Sequence, residues 1–175
     1  GALMASLKPT EKLPGKKAAI IGGGPTGIAA AYFLARGGVE TTIFEREAKL
    51  GGVPRYVIPA FRISDEALDK DVALMERLGV EVKCGAPAPS VDELKKMGYT
   101  HILMATGAWQ AGELGIPGNV KGVIGWMKEM KQQVKPCIEG HVVVVGAGNT
   151  AMDAARVAKR MGAASSTIVY RRTKK

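Results

Sequence analysis

Apolar residues along the chain follow two periods, one typical of strands and one typical of helices. Short apolar or alternating runs are each followed by a segment in which apolar residues recur at every third or fourth position. Strands that alternate with helices in this way predict an α/β fold, with a parallel sheet that carries helices on both faces. The predicted strands are 17–21, 40–44, 80–85, 100–107, 141–145 and 167–170, and the predicted helices are 25–36, 64–78, 91–98, 123–134 and 149–161.

The first strand runs into a glycine turn, Gly22-x-Gly24-x-x-Gly27, which opens the first helix. Gly22 permits the tight turn, Gly24 lets the backbone approach a phosphate, and Gly27 lets the helix pack closely on its strand. Pro25 fits the first helical turn, where its missing N–H costs nothing. Because the helix N-terminus attracts anions, we predict that this turn holds the pyrophosphate of a dinucleotide.

The same pattern returns in the last third of the chain. A run of valines ends in Gly146-x-Gly148-x-x-Ala151, in which alanine replaces the third glycine as the motif allows. A helix and a further strand follow, so the sequence predicts a second nucleotide-binding turn.

The two repeats differ in the charge that ends their second strand. The first ends in Glu45, placed to accept hydrogen bonds from the ribose hydroxyls of FAD or NAD, and the second ends in Arg171 and Arg172. A guanidinium matches the oxygens of a ribose 2′-phosphate, so the second repeat favours NADPH over NADH. Two alternatives stay open: Glu45 as a solvated strand-end acid, and the arginines as a basic tail.

Two dinucleotide sites on one chain indicate electron transfer between two bound cofactors, with hydride passing from NADPH to a flavin. The cofactors supply that chemistry, so we predict no catalytic acid, base or nucleophile from the protein.

Composition narrows the classes of function. The net charge is +9, but lysine and arginine are scattered and aromatic residues make up 5% of the chain, which argues against nucleic-acid binding. Cys84 and Cys137 stand far apart, so we predict no disulfide, zinc or iron–sulfur site. The sequence contains no apolar run long enough for membrane insertion and no secretory leader, which favours a cytoplasmic location.

The expected organisation has four parts. Residues 1–15 form a lead-in or linker, 16–108 a FAD-binding domain, 109–140 a crossover, and 141–175 an incomplete NADP-binding Rossmann unit. The connection at 46–62 lacks a clear helical period but is rich in apolar residues, which is typical of a functional loop.

Four stretches resemble the flavoproteins with two dinucleotide sites that include the small subunit of glutamate synthase and the flavin portion of dihydropyrimidine dehydrogenase. They are the first glycine turn; Gly-Gly-Val-Pro-Arg-Tyr-Val-Ile-Pro-Ala-Phe-Arg at 51–62; Ala-Thr-Gly-Ala-Trp at 105–109; and the stretch from the second glycine turn through Arg-Arg-Thr. The Gly-Ala-Trp at 107–109 looks most like the flavin/iron–sulfur subunit linked to selenate reductase.

The resemblance implies specific cofactor contacts. Gly22, Gly24, Pro25 and Gly27 would hold the FAD pyrophosphate, and Glu45 would hold its ribose. Residues 58–61 would lie along the flavin; the alternative for them is apolar core packing under a loop. Further FAD contacts would be Gly52, Val53, Ile58, Phe61, Arg62, Ala105, Thr106 and Gly107, and NADPH contacts would be Gly146, Gly148, Asn149, Thr150, Arg171 and Arg172.

The chain also departs from the family pattern. A cysteine-rich iron–sulfur domain precedes the flavin domain in the family and is missing from this sequence, so clusters and a substrate-reducing partner would lie outside it. We therefore expect a fragment of a longer polypeptide, which would be inactive in turnover when isolated. A disulfide reductase would need a redox-active cysteine pair, but Val53-Pro54-Arg55 stands after Gly51-Gly52, and Cys137 is alone. From another class, a non-catalytic dinucleotide-binding or assembly module remains an alternative.

Overall fold

A computed structural model of the protein describes residues 8–110, 112 and 114–172. These residues form two compact units. The first contains the described residues up to Arg55 together with Ile63–Gly107. The second contains Tyr56–Arg62 together with the described residues from Ala108 onwards.

The first unit is built on a four-stranded parallel sheet with the strand order β3-β2-β1-β4. In the register, Ile20 on β1 lies between Ile43 on β2 and Leu103 on β4. The order changes direction at β1, so the carboxyl ends of β1 and β4 flank a switch point of the kind where α/β proteins bind ligands. The strands are β1 (Lys17–Ile21), β2 (Glu40–Glu45), β3 (Glu81–Cys84) and β4 (His101–Met104).

Both faces of this sheet are covered, as the sequence predicts. Ile20 and Ile43 pack with α-helical residues such as Met75 on one face, while Ala19 and Phe44 belong to a second cluster with Leu94. Neighbouring residues of one strand thus enter opposite layers, which is the alternation that a buried strand requires. The helices are α1 (Pro25–Arg36), α2 (Gly52–Tyr56), α3 (Asp65–Arg77) and α4 (Val91–Lys96).

Side-chain caps define the N-termini of two of these helices. The Ser64 hydroxyl accepts a hydrogen bond from the Ala67 N–H at the start of α3. Ser90 and Glu93 form a reciprocal capping box at the start of α4. Helix α2 was not predicted, because five residues that include a proline carry no helical period.

The second unit has a two-stranded parallel sheet and two helices, with α6 packed against both strands. Ala154 and Ala158 on α6 are buried, whereas Val143 and Val145 on β5 are half exposed. This sheet is therefore covered on one face only among the described residues. Its elements are α5 (Val123–Gln132), β5 (His141–Val145), α6 (Asn149–Arg160) and β6 (Ser165–Val169).

Several boundaries differ from the prediction. Strand β4 ends at Met104 rather than at residue 107, helix α5 ends at Gln132, and β6 begins at Ser165. Throughout the described ranges, every helix is too short or too polar to cross a membrane.

Candidate nucleotide-binding sites

The first glycine turn has a backbone that side chains would disrupt. Gly22 adopts a φ of +109°, and its N–H donates to the Phe44 carbonyl oxygen at 2.8 Å. A Cβ on Gly22 would overlap the carbonyl of Ala105, and one on Gly27 would overlap the carbonyl of Gly22. Glycine is therefore required at both ends of the motif by space as well as by conformation.

The turn leads directly into the N-terminus of α1. The first hydrogen bond of this helix runs from the Ile28 N–H to the Gly24 carbonyl oxygen at 2.9 Å. The N–H groups of Thr26 and Gly27 consequently have no acceptor within the helix, and Gly24 provides no side-chain cap. An anion at this position would meet free donors and the positive end of the helix dipole.

A second glycine pair packs against the turn. The Gly51 N–H donates to the Gly23 carbonyl oxygen at 2.8 Å. Gly52 has a φ of +55°, and a Cβ there would lie 2.7 Å from the Gly24 Cα. Gly52, which the family resemblance assigns to FAD, thus adjoins the predicted pyrophosphate turn by direct backbone contact. Val53 follows it on α2 and is half-buried.

Glu45 lies beneath the turn rather than in solvent. It is 7% exposed, and its Oε2 accepts a hydrogen bond from the Gly23 N–H at 2.6 Å. Its Oε1 accepts one from the Glu47 N–H at 2.9 Å. The carboxylate therefore fixes the turn and the start of the following loop, and each oxygen keeps acceptor capacity for a ribose hydroxyl.

The segment after β4 closes the other side of the turn. The Ala105 N–H donates to the Ile21 carbonyl oxygen at 2.8 Å, which extends the pairing of β4 with β1 by one bond. Thr106 and Gly107 follow and are exposed, with Gly107 at a φ of +73°. The unit thus places three predicted FAD-binding groups of residues, the turn, Gly52 and 105–107, at the carboxyl ends of β1 and β4.

Arg55 is a further residue of this site that the sequence prediction missed. Its side chain is 4% exposed; Nε donates to the Leu50 carbonyl oxygen, and Nη2 donates to Asp69 Oδ1 at 2.5 Å. Nη1 lies 3.7 Å from Asp65 Oδ1. The guanidinium therefore ties the residue before Gly51 to helix α3. The sequence signal for this role of Arg55 was the pair Asp65 and Asp69, four residues apart on one helix face. Such pairs are also common on solvent-exposed helix faces.

Ile58, Phe61 and Arg62, which the family resemblance places along the flavin, belong to the second unit. They lie in Tyr56–Arg62, which we call the strap. Lys131 Nζ donates to the Ile58 carbonyl oxygen at 2.6 Å. The Arg160 guanidinium lies 4.1 Å from the centre of the Phe61 ring, and Arg62 Nε donates to Asp153 Oδ1 at 2.7 Å. Their contact with a flavin stays a prediction.

The second glycine turn repeats the backbone of the first in more open surroundings. Gly146 has a φ of +124°, and its N–H donates to the Val169 carbonyl oxygen at 2.8 Å. Gly148 starts α6 without a side-chain cap, and Asn149 and Thr150 in its first turn are exposed. The exposed Arg171 and Arg172 follow β6, directly after the strand whose end is bonded to this turn.

Neither cysteine has the features of a redox-active thiol. Cys84 and Cys137 are both free and exposed. Partial desolvation by the surrounding protein raises the pKa of the Cys84 thiol, and the negative charge of Glu45 raises it further, so the reactive thiolate is disfavoured. Within the part of the chain that the structure describes, no group of three or more His, Cys, Asp or Glu residues is arranged to hold a metal ion.

The two glycine turns have the same local backbone, and each is followed by a helix N-terminus. This arrangement is typical of proteins that bind dinucleotides. The sequence pattern of the pyridine nucleotide-disulphide oxidoreductases matches residues 16–174, and the chain belongs to this family.

Sequence comparison with known proteins confirms the predicted resemblance to the glutamate synthase small subunit. The chain is 42% identical over 160 residues to YgfK of Escherichia coli strain K12, covering 89% of this chain and 16% of that protein. It is 35% identical over 175 residues to the glutamate synthase [NADPH] small chain of Halomonas elongata, covering 90% and 37%. The closer likeness to a selenate-reductase-linked subunit stays a prediction.

A solved structure confirms the α/β Rossmann-like fold. Thioredoxin reductase of Lactococcus lactis superimposes with a TM-score of 0.64 at 25% identity, over 91% of this chain and 57% of that one. The chain thus spans less than two-fifths of the curated relatives named above.

Proposed function

We propose that this chain is the nucleotide-binding part of a flavin-dependent oxidoreductase that moves a hydride from NADPH to FAD. The observation that carries the proposal is the cradle of the first unit, where Glu45, Gly52 and Ala105 converge on one glycine turn. Membership of the pyridine nucleotide-disulphide oxidoreductases supports it.

FAD is assigned to the first unit. The free N–H groups of Thr26 and Gly27 suit a pyrophosphate, and the carboxylate of Glu45 suits a ribose diol but would repel a 2′-phosphate. Gly52 packs directly on Gly24, where a Cβ would lie 2.7 Å from the Gly24 Cα, so the loop can close on the turn only with glycine at this position.

NADPH is assigned to the second unit. Arg171 and Arg172 follow β6, whose last residue is bonded to the second glycine turn, and their guanidinium groups can match a 2′-phosphate. The Halomonas relative is a glutamate synthase [NADPH] small chain, which agrees with this assignment. The predicted preference for NADPH over NADH is therefore part of this proposal.

The two cofactors would supply hydride transfer, and the protein would bind and orient them. The hydride carries two electrons, which must then leave the flavin for an acceptor. We assign that acceptor to iron–sulfur clusters or a substrate-reducing partner outside this chain, in agreement with the family resemblance. A cytoplasmic location remains a prediction.

The test is anaerobic reduction of the FAD-loaded chain. We expect the purified protein to bind FAD. The absorbance of the bound flavin should bleach at a lower concentration of NADPH than of NADH. Stronger binding of NADH would overturn the assignment of Arg171 and Arg172. A protein that rejects FAD would overturn the assignment of the first unit.

A non-catalytic dinucleotide-binding or assembly module is the second candidate. It is favoured by strand β5 of the second unit, where the side chains of Val143 and Val145 remain exposed. This candidate predicts FAD binding without reduction by NADPH. Reduction at a rate comparable with enzymatic turnover would exclude it.

A further inference from the structure

The strap is held on the second unit by contacts of three kinds. The Ile58 carbonyl oxygen accepts a hydrogen bond from Lys131, and the Phe61 ring lies against the Arg160 guanidinium. Arg62 forms an ion pair with Asp153. The side chains of Val57, Pro59 and Phe61 also line a small apolar cavity of about 110 Å³ with residues of α5 and α6. The strap is therefore a packed part of the second unit rather than a loose connection.

The chain on both sides of the strap belongs to the first unit. Arg55, which precedes it, is anchored to Leu50 and to the aspartates of α3. Ile63, which follows it, leads into the Ser64 cap of α3. Seven residues therefore leave the FAD-assigned unit, pack on the NADPH-assigned unit and return.

Asp153 is an acidic side chain of the second unit that the strap contacts. It is 9% exposed and lies on α6, about one turn after Gly148 begins the helix. A buried carboxylate requires a partner, and the 2.7 Å hydrogen bond from Arg62 Nε satisfies it. Without that partner, its charge would oppose an anion bound at the second glycine turn.

We propose that Asp153 is a positioning residue that latches the strap to the second unit through Arg62, and that this latch restrains the two cofactors during hydride transfer. The inference rests on the proposed function. Reactive groups that are held in place react faster, and a misplacement of about 1 Å can cost about a hundredfold in rate. The latch acts on the strap and leaves the first glycine turn, Glu45 and Gly52 untouched.

The first experiment measures the latch without reference to activity. Amide hydrogen exchange is compared over 56–62 in the wild type, D153N, R62K and the control E129Q. Glu129 forms an exposed ion pair with Lys121 at 3.8 Å on the same unit, so E129Q removes one negative charge without touching the Arg62–Asp153 pair. We expect faster exchange of the strap in D153N and R62K and no change in E129Q. Equal protection in the wild type and D153N would overturn the latch.

The second experiment measures the rate of flavin reduction at saturating NADPH in FAD-loaded protein. We expect D153N to slow reduction about tenfold, with unchanged FAD content and a smaller change in the NADPH concentration needed for half the maximal rate. E129Q should match the wild type. The reversed pair R62D/D153R should regain part of the rate that R62D loses, which would assign the effect to the ion pair between the two positions rather than to either side chain alone.

The outcomes separate this inference from the proposed function. A wild type that NADPH fails to reduce contradicts the proposed function, and strap exchange then decides the latch by itself. A wild type that is reduced, with D153N reduced at the same rate, contradicts the latch and leaves the proposed function standing.

Discussion

The two glycine turns share a sequence pattern but differ in what surrounds them. In the first unit, the last five residues of β2 are buried and a Cβ on Gly27 would overlap the Gly22 carbonyl. In the second, exposed residues alternate along β5, and Ala151 already carries a Cβ at the corresponding position. A motif therefore predicts the local backbone at both places, but the neighbouring elements decide how much stability each glycine contributes.

The largest expected effect is that of Gly27→Ala in the first turn. The added methyl group would overlap the Gly22 carbonyl, so α1 must move off β1. We expect a loss of unfolding free energy of about 3 kcal/mol or more, together with loss of FAD. Urea unfolding measures it. The matched change Ala151→Gly should cost only about 1 kcal/mol, the ordinary penalty for glycine in a helix; equal losses at the two sites would contradict the comparison.

The next largest effect is expected from Arg55→Met. It would leave the Leu50 carbonyl and Asp69 without their donor behind Gly51. We expect a loss of about 2 kcal/mol, reduced from the value for a buried pair because Asp69 is half exposed, and weaker FAD binding. Flavin titration and urea unfolding test it.

Two aspartates provide the control for Arg55. Asp69 lies 2.5 Å from the guanidinium and Asp65 lies 3.7 Å from it. D69N should therefore weaken FAD binding more than D65N, and the reverse order would argue against this role of Arg55.

In the open second turn, Gly148→Ala should separate binding from stability. Nothing lies within 4 Å of the added Cβ, so the unfolding free energy should change by less than about 0.5 kcal/mol. The same Cβ would stand where the pyrophosphate approaches, so NADPH affinity should fall about tenfold in a titration. Gly125→Ala, in the interior of α5 and equally free of contacts, should stabilise the protein slightly and leave affinity unchanged.

The smallest expected effect is a pH dependence in the first unit. Burial acts to raise the pKa of Glu81, but hydrogen bonds from Thr42 and Lys83 and the charges of Lys83 and Lys17 outweigh it, so the pKa is lowered. A lowered folded-state pKa stabilises the protein above the unfolded value, and this contribution is lost as the pH falls through the folded value.

Because Glu81 is mostly exposed, E81Q should cost less than about 1 kcal/mol at neutral pH. The difference between E81Q and the wild type in urea unfolding should shrink as the pH falls below the ordinary glutamate range and vanish once it passes the lowered folded-state pKa of Glu81. A difference that persists there would mean that the charge of Glu81 is not its cause.

Most of the fold could be predicted from the sequence, because strand and helix periods and glycine turns are local signals. The cap at Ser64 depends on side-chain chemistry within four residues and is such a local signal. Helix α2 could not be predicted, since Gly52 reaches its φ of +55° against Gly24, which lies far away in the sequence.

The candidate sites divide in the same way. The glycines and Glu45 were predictable because they belong to one strand–helix–strand repeat. The roles of Arg55 and Asp153 depend on partners that only the tertiary structure brings near, and Arg62 and Asp153 are 91 residues apart. Periodicity carries no information about such pairs.

The two cysteines give the protein a built-in pair of labelling positions. Both are exposed and free, with Cys84 in the first unit and Cys137 in the second. The raised pKa of Cys84 slows its alkylation, so donor and acceptor maleimide dyes need a longer reaction to label both positions. Energy transfer between the dyes would then report the spacing of the units in solution, with and without nucleotide, without any engineered cysteine.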